Sequence, residues 1–170
     1  EPDILLPPAG ALLEGGDILV DRGRVLVGIS QRTNEAGYLF LKDCFEPEFE
    51  VVPLYCRSLS EGENVLHLDC TFNPVGREHA LIYPAGFREI PPFLREDYRW
   101  VEVNAEEQAA LATNVLSVDE KTLISRDHPI CRRMNEELRG LGLEVLSLPF
   151  DGAPSTGGSF RCCSLPLLRE

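Results

Sequence analysis

Ala11-Leu12-Leu13-Glu14-Gly15-Gly16-Asp17-Ile18-Leu19-Val20 and Arg24-Val25-Leu26-Val27-Gly28-Ile29 flank the tripeptide Asp21-Arg22-Gly23. Two apolar runs separated by a short turn containing Gly predict a β-hairpin. Downstream, Ala36, Leu39, Phe40 and Cys44 recur at helical spacing across 34–45, and Phe49-Glu50-Val51-Val52-Pro53-Leu54 predicts a strand. The order is strand, strand, helix, strand.

That order returns twice. Residues 65–72 predict a strand, 73–76 a turn, 79–83 a second strand, 91–95 a short helix and 99–103 a closing strand. After an Ala- and Glu-rich helical segment over 105–111, residues 114–118 and 121–125 predict another hairpin around Asp119-Glu120. Residues 128–141 follow as a helix with Ile130, Met134, Leu138 and Leu141 on one face, and Gly142 marks its stop. Residues 143–148 predict the closing strand. The unit recurs about every 40 to 50 residues, the scale of propellers and related arrays. Hairpins with crossing helices imply mixed strand pairing, so the expected fold is an α/β propeller-like array of ββαβ modules. Glu14, His67, Asn114 and Cys162 all fall on the expected first strands, and a rotational repeat carries them to a common axis.

The last stretch, Gly157-Gly158-Ser159-Phe160-Arg161-Cys162-Cys163-Ser164-Leu165-Pro166-Leu167-Leu168, opens a fourth unit. As a strand it places Cys163, Leu165 and Leu167 on an apolar face and turns Cys162 and Ser164 the other way. A thiol directed away from the core is placed to act as a nucleophile, although each cysteine alone reads equally well as a small buried hydrophobe. On the second module's first strand, His67 and Asp69 share one face, opposite Leu66, Leu68 and Cys70. A histidine beside a carboxylate is a candidate for acid–base work. Glu14 precedes two glycines that permit close approach of another chain or ligand.

The size of the chain, 170 residues, suits one domain over 1–170 whose core needs no disulfide or metal staple. Its formal net charge of -12 leaves no basic stripe for nucleic acid and is compatible with a cationic small molecule. No apolar run approaches the roughly 20 residues that span a membrane, and Glu1-Pro2-Asp3 lacks the basic start of a secretory signal. The six cysteines show no C-x-x-C pair and no zinc-ligand spacing, so reduced thiols in a cytoplasmic protein are expected. Cys44, Cys70 and Cys131 read as core or partly buried residues, Cys56 stands at a loop edge, and Trp100 and Phe72 read as packing residues. Neither a metal nor an organic cofactor is expected.

Four stretches together resemble the guanidine-modifying, or pentein, superfamily of arginine deiminases, dimethylarginine dimethylaminohydrolases and amidinotransferases. They are Leu13-Glu14-Gly15-Gly16-Asp17, Val27-Gly28-Ile29-Ser30-Gln31-Arg32-Thr33-Asn34, His67-Leu68-Asp69 and Gly157-Gly158-Ser159-Phe160-Arg161-Cys162-Cys163-Ser164. Their order and spacing fit, and the similarity spans essentially the whole chain. The resemblance implies that Cys162 is the nucleophile attacking a guanidinium or ureido carbon. His67 then protonates the departing amine and later deprotonates water, and Glu14 orients and charge-stabilises His67. Asp69 is implied to hold the guanidinium, Arg32 to bind the α-carboxylate of an arginine derivative, and Thr156 to offer a backbone carbonyl. Asp17 is implied either to reach the substrate or to hold its turn.

His67-Leu68-Asp69 resembles the deiminase and amidinotransferase branches, whereas Cys162-Cys163-Ser164 resembles mammalian-type dimethylarginine hydrolases. The superfamily pattern has five modules. The resemblance therefore implies that N-terminal modules precede this chain's three and its final cysteine strand. The expectation is that an N-terminal segment, covalent or separate, or a homo-oligomeric contact completes the ring. A cysteine-dependent hydrolase is the leading expectation. An amidinotransferase using the same thiol intermediate, and a non-catalytic binding module of the same fold, stand beside it.

Overall fold

Asp21-Arg22-Gly23 closes the first hairpin as predicted. β1 (Ile18–Asp21) and β2 (Arg24–Ile29) run antiparallel, with Asp21 opposite Arg24. The chain then crosses through α1 (Glu35–Phe45), so that β3 (Glu50–Tyr55) returns parallel to β2. Asn34 caps α1 by accepting the Gly37 N–H at 3.0 Å, and the same side chain ties down the preceding segment through Leu12 N and Gly10 O. The computed structural model describes residues 4–165, and this hairpin–helix–parallel-strand unit occurs in it three times.

In the second unit β4 (Phe72–Val75) pairs antiparallel with β5 (His79–Ile82), and α2 (Phe93–Asp97) leads to β6 (Arg99–Glu102), parallel to β5. A short helix, α3 (Ala105–Ala109), then enters the third unit. There β7 (Leu116–Ser117) and β8 (Thr122–Arg126) are antiparallel, and α4 (Arg132–Gly140) carries the chain to β9 (Glu144–Leu148), parallel to β8. The fold is a mixed α/β arrangement of three small sheets, each ββαβ in order.

The core lies on both sides of these sheets, because alternate strand residues face opposite ways. Val25 and Val27 of β2 pack with Tyr38 and Leu41 of α1, whereas Leu26 joins Leu19, Leu54, Phe72, Ile82 and Leu94 between the first two units. Leu81 of β5 points the other way, into a cluster with Leu123, Met134, Leu138 and Val145 of the third unit. Each sheet therefore seals against the next. Among the described residues, no helix is long and apolar enough to cross a membrane.

Several local expectations are corrected. The stretch 65–72 is not a strand: Leu68–Cys70 forms a 3-10 turn, and β4 begins only at Phe72, taking in Asn73 and Pro74 that were expected to turn. The cause is capture of the Leu68 N–H by the Asp17 carboxylate at 2.8 Å, which leaves the backbone to close on itself through Cys70 N to His67 O. The cysteine stretch is likewise a turn, with Cys163 N bonded to Ser159 O at 3.1 Å and Ser164 N to Arg161 O at 3.1 Å. Asn114 takes the backbone donors of Arg161 and Cys162 that a strand ladder would have used. Cys163 is consequently exposed rather than on an apolar face, and Pro166 and Leu167 of the expected strand lie outside the described residues. The first strand starts at Ile18, not at Ala11. The apolar face of α4 and the turn before it buries Cys131, Met134 and Leu138, while Leu141 is exposed past the helix end. Cys56 proves to be buried.

Candidate active site

Glu14, His67, Asn114 and Cys162 were expected on first strands. They sit instead in the segments just ahead of β1, β4 and β7 and in the terminal turn. They nevertheless converge. The Glu14 carboxylate lies 2.6 Å from His67 Nε2. Glu14 is set there by its own N–H, which donates to Thr33 Oγ1 at 3.1 Å, and by its carbonyl, which accepts from Asp17 N at 3.0 Å. Gly16 passes directly against the imidazole: a Cβ at that position would lie 2.8 Å from His67 Cγ and Nδ1. The two glycines of the motif thus have different tasks, since a Cβ on Gly15 would meet nothing within 4 Å.

Asp17 anchors the turn from beneath. It is fully buried, and its two oxygens accept from Ser30 Oγ at 2.7 Å and Leu68 N at 2.8 Å. Gly28 makes room for it, because a Cβ there would meet the Asp17 carboxylate at 2.6 Å and Leu68 Cβ at 2.7 Å. Burial pushes the Asp17 carboxyl up from its ordinary value, against the pull of its Ser30, Thr33 and Leu68 hydrogen bonds and the nearby His67. Of the two roles implied for Asp17, these contacts are those of a residue that holds its turn.

Asp69 is 1% exposed and faces Arg161, whose Nε lies 3.4 Å from Asp69 Oδ2. Burial raises its carboxyl, while Arg161, His67 and the Asn114 side chain pull it down. Arg161 also reaches back across the chain to the Ile18 carbonyl, 3.1 Å from its Nη2. The neighbouring residue, Cys162, donates its N–H to Asn114 Oδ1 at 3.2 Å, and its side chain stays exposed. Loss of water around the Cys162 thiol raises it above its ordinary value, with the negative charge of Asp69 adding to the effect.

Arg32 stands on the exposed rim, its guanidinium 3.9 Å from Glu14. Thr156 ends the 3-10 turn Pro154–Thr156, exposed, with its hydroxyl bonded to Ala153 O at 2.8 Å; among the described residues it makes no hydrogen bond to the cluster. Two residues gain a place that motif reading had not assigned. Arg161 pairs with Asp69, and Thr33 positions Glu14. Arg161 was visible only as the neighbour of Cys162, and nothing local to it announces a partner 92 residues upstream.

The arrangement puts a carboxylate-backed imidazole, a buried carboxylate and an exposed thiol on converging turns. That combination suits nucleophilic chemistry assisted by proton transfer. Among the described residues no group of three or more His, Cys, Asp or Glu side chains is placed to hold a metal.

The family model described as N,N dimethylarginine dimethylhydrolase, eukaryotic, matches residues 5–169. The uncharacterized protein YkgA of Bacillus subtilis (strain 168) is 39% identical over 158 residues, which is 92% of this chain and 52% of that protein. The chain thus spans about half the length of this curated relative. The product-bound N-terminal domain of ArgZ, a cyanobacterial arginine dihydrolase, matches with a TM-score of 0.81 at 24% identity over 95% of this chain and 59% of the other. SxtG, an amidinotransferase from Microseira wollei, gives a TM-score of 0.77 at 20% identity over 97% and 52%. DDAH from Pseudomonas aeruginosa, complexed with citrulline, gives 0.68 at 21% identity over 86% and 52%. At such identities these structures speak to the fold. With the family model matched along nearly its whole length, the chain belongs to the N,N dimethylarginine dimethylhydrolase family, within the pentein superfamily that its motifs resemble.

Proposed function

We propose that this chain carries the catalytic residues of a cysteine-dependent hydrolase acting on the amidino carbon of an arginine derivative, with an N-methylated arginine as the substrate class that its family membership favours. The observation that carries the reading is the Glu14–His67 pair beside buried Asp69, which lies within electrostatic reach of both His67 and the exposed Cys162 thiol, with Asn114 holding the Cys162 turn. Asp69 offers a buried carboxylate suited to a planar cation. Glu14 gives His67 a charged partner, so that the imidazolium form is supported when it is needed. Arg32, an exposed cation 3.9 Å from Glu14, is the residue proposed to meet the substrate's α-carboxylate.

In this mechanism the Cys162 thiolate attacks the central carbon and a C–S bond forms. As the C–N bond to the leaving group breaks, His67 supplies the proton that makes it a neutral amine. The remaining thiouronium is attacked by water, which gives a proton to His67. Collapse breaks the C–S bond, restores the thiol and releases a ureido product. One water is consumed and one amine is released. A bound cation beside the thiol favours the thiolate, so the substrate helps to activate its own attacker. The resemblance to longer relatives makes the assembled protein, including any N-terminal modules, the unit proposed to turn over substrate.

The test is labelling of the intact protein with 2-chloroacetamidine, followed by peptide mapping. Saturable modification of Cys162 that is blocked by arginine derivatives and abolished in His67→Ala is expected. Equal, slow labelling of Cys162 and Cys163, insensitive to those compounds, would sink the reading. Amine release that requires an added amine acceptor in place of water would reassign the protein as an amidinotransferase.

A further inference from the structure

Asp69 is buried, and a guanidinium supplied by the chain itself stands beside it. Arg161 Nε lies 3.4 Å from Asp69 Oδ2, its Nη2 donates to Ile18 O at 3.1 Å, and its backbone N–H reaches Asn114 O at 3.4 Å. The Asp69 side chain is 1% exposed and that of Arg161 is 17% exposed, so the pair is largely withdrawn from solvent. An arginine side chain cannot shed its proton at any working pH, so this carboxylate has a permanent counter-charge.

We propose that Arg161 is a charge-selective internal competitor: its guanidinium holds Asp69 in the empty site, and a cationic amidino substrate must displace it to bind. The inference rests on the functional reading above, in which Asp69 receives the substrate. Two guanidinium cations gathered on one buried carboxylate leave a positive charge in excess where solvent cannot screen it, so substrate entry is an exchange of one cation for another. The exchange keeps Asp69 paired throughout. A neutral ureido product offers no such exchange, because replacing Arg161 with it leaves a buried carboxylate without a counter-charge. Arg161 therefore returns as the cation is consumed, and its return favours product release.

The experiment compares alkylation of Cys162 by cationic 2-chloroacetamidine and by neutral 2-chloroacetamide, of nearly equal shape, in the intact protein. The neutral reagent corrects for thiol exposure and for any loosening of the fold. In Arg161→Gln the amidine-to-amide rate ratio is expected to rise about tenfold, because the charge that competes for Asp69 is removed. Arg161→Lys, which keeps the charge but not the fork, is expected to fall between Arg161→Gln and wild type. Loss of the ratio in Asp69→Asn supports Asp69 as the shared acceptor. An amidine preference in wild type that does not rise in Arg161→Gln overturns the competitor and leaves the functional reading standing. Absence of amidine preference in wild type and Arg161→Gln alike overturns both.

Discussion

The Asp17 carboxylate accepts a 2.8 Å hydrogen bond from the backbone N–H of Leu68, 51 residues further along the chain. This contact ties the turn that follows Glu14 to the turn that follows His67, beside the 2.6 Å pairing of those two side chains.

Asp17→Ala strands the Ser30 hydroxyl and the Leu68 N–H, and each buried group left unpaired costs about 1–3 kcal/mol. Urea unfolding is expected to show a loss within that range or somewhat above it. Asp17→Asn gives a second readout. Burial raises the Asp17 carboxyl in the folded state, so its contribution to stability is full below the unfolded pKa of about 3.9 and is lost as pH rises through the folded value. Wild-type stability, measured relative to Asp17→Asn, should fall from pH 4 towards neutrality. A difference that stays flat or grows across that window contradicts this account.

Gly16→Ala places a methyl group 2.8 Å from the His67 ring and forces the imidazole away from Glu14. Misplacement of an acid–base group by about 1 Å costs on the order of 10²-fold in rate, and a kcat loss of that order is expected. Gly15→Ala meets nothing within 4 Å and should behave like wild type in both kcat and thermal midpoint. Equal effects of the two substitutions would show that the turn, not the His67 contact, requires glycine.

Glu14→Gln keeps the shape of the pair but removes the charge facing His67 Nε2. A kcat reduction on the order of 10²-fold is expected, with KM moving less. Stability should change by less than about 1 kcal/mol, because Glu14 is exposed and its Arg32 contact at 3.9 Å is a surface ion pair. A large rise in KM with unchanged kcat would place Glu14 in binding instead.

Partial loss of water around the Cys162 thiol raises it, and neighbouring Asp69 adds to the shift, so the empty site holds less thiolate than an ordinary cysteine. Alkylation by neutral iodoacetamide should keep rising with pH beyond the ordinary thiol value of about 8.5. An arginine-like cation at saturating concentration brings positive charge towards the thiol and should move residual reactivity to lower pH. A reactivity plateau below about pH 8 in the unliganded protein would contradict the first expectation.

Much of this molecule was legible from residue order alone. The three ββαβ units follow from local signals such as the continuous apolar run of β2, the helical spacing of α1 and the turn at Asp21-Arg22-Gly23. Each acts within a few residues, so no knowledge of distant partners is needed. Glu14, His67, Asp69 and Cys162 also stand out by residue type and motif order.

The backbone that presents those side chains was not legible. Residues 65–72 alternate like a strand, but Asp17 captures Leu68 N and bends them into a turn. The cysteine stretch reads as extended, but Asn114 takes the Cys162 N–H and coils it. Nor does motif order show that Arg161 occupies Asp69. Residue order by itself determined the repeating units and singled out the candidate groups, because periodicity and side-chain chemistry are local properties. Only the tertiary structure decided the turns and the pairing of charges, because a buried donor or carboxylate takes whichever partner folding brings within reach, and those partners lie 48 to 92 residues away.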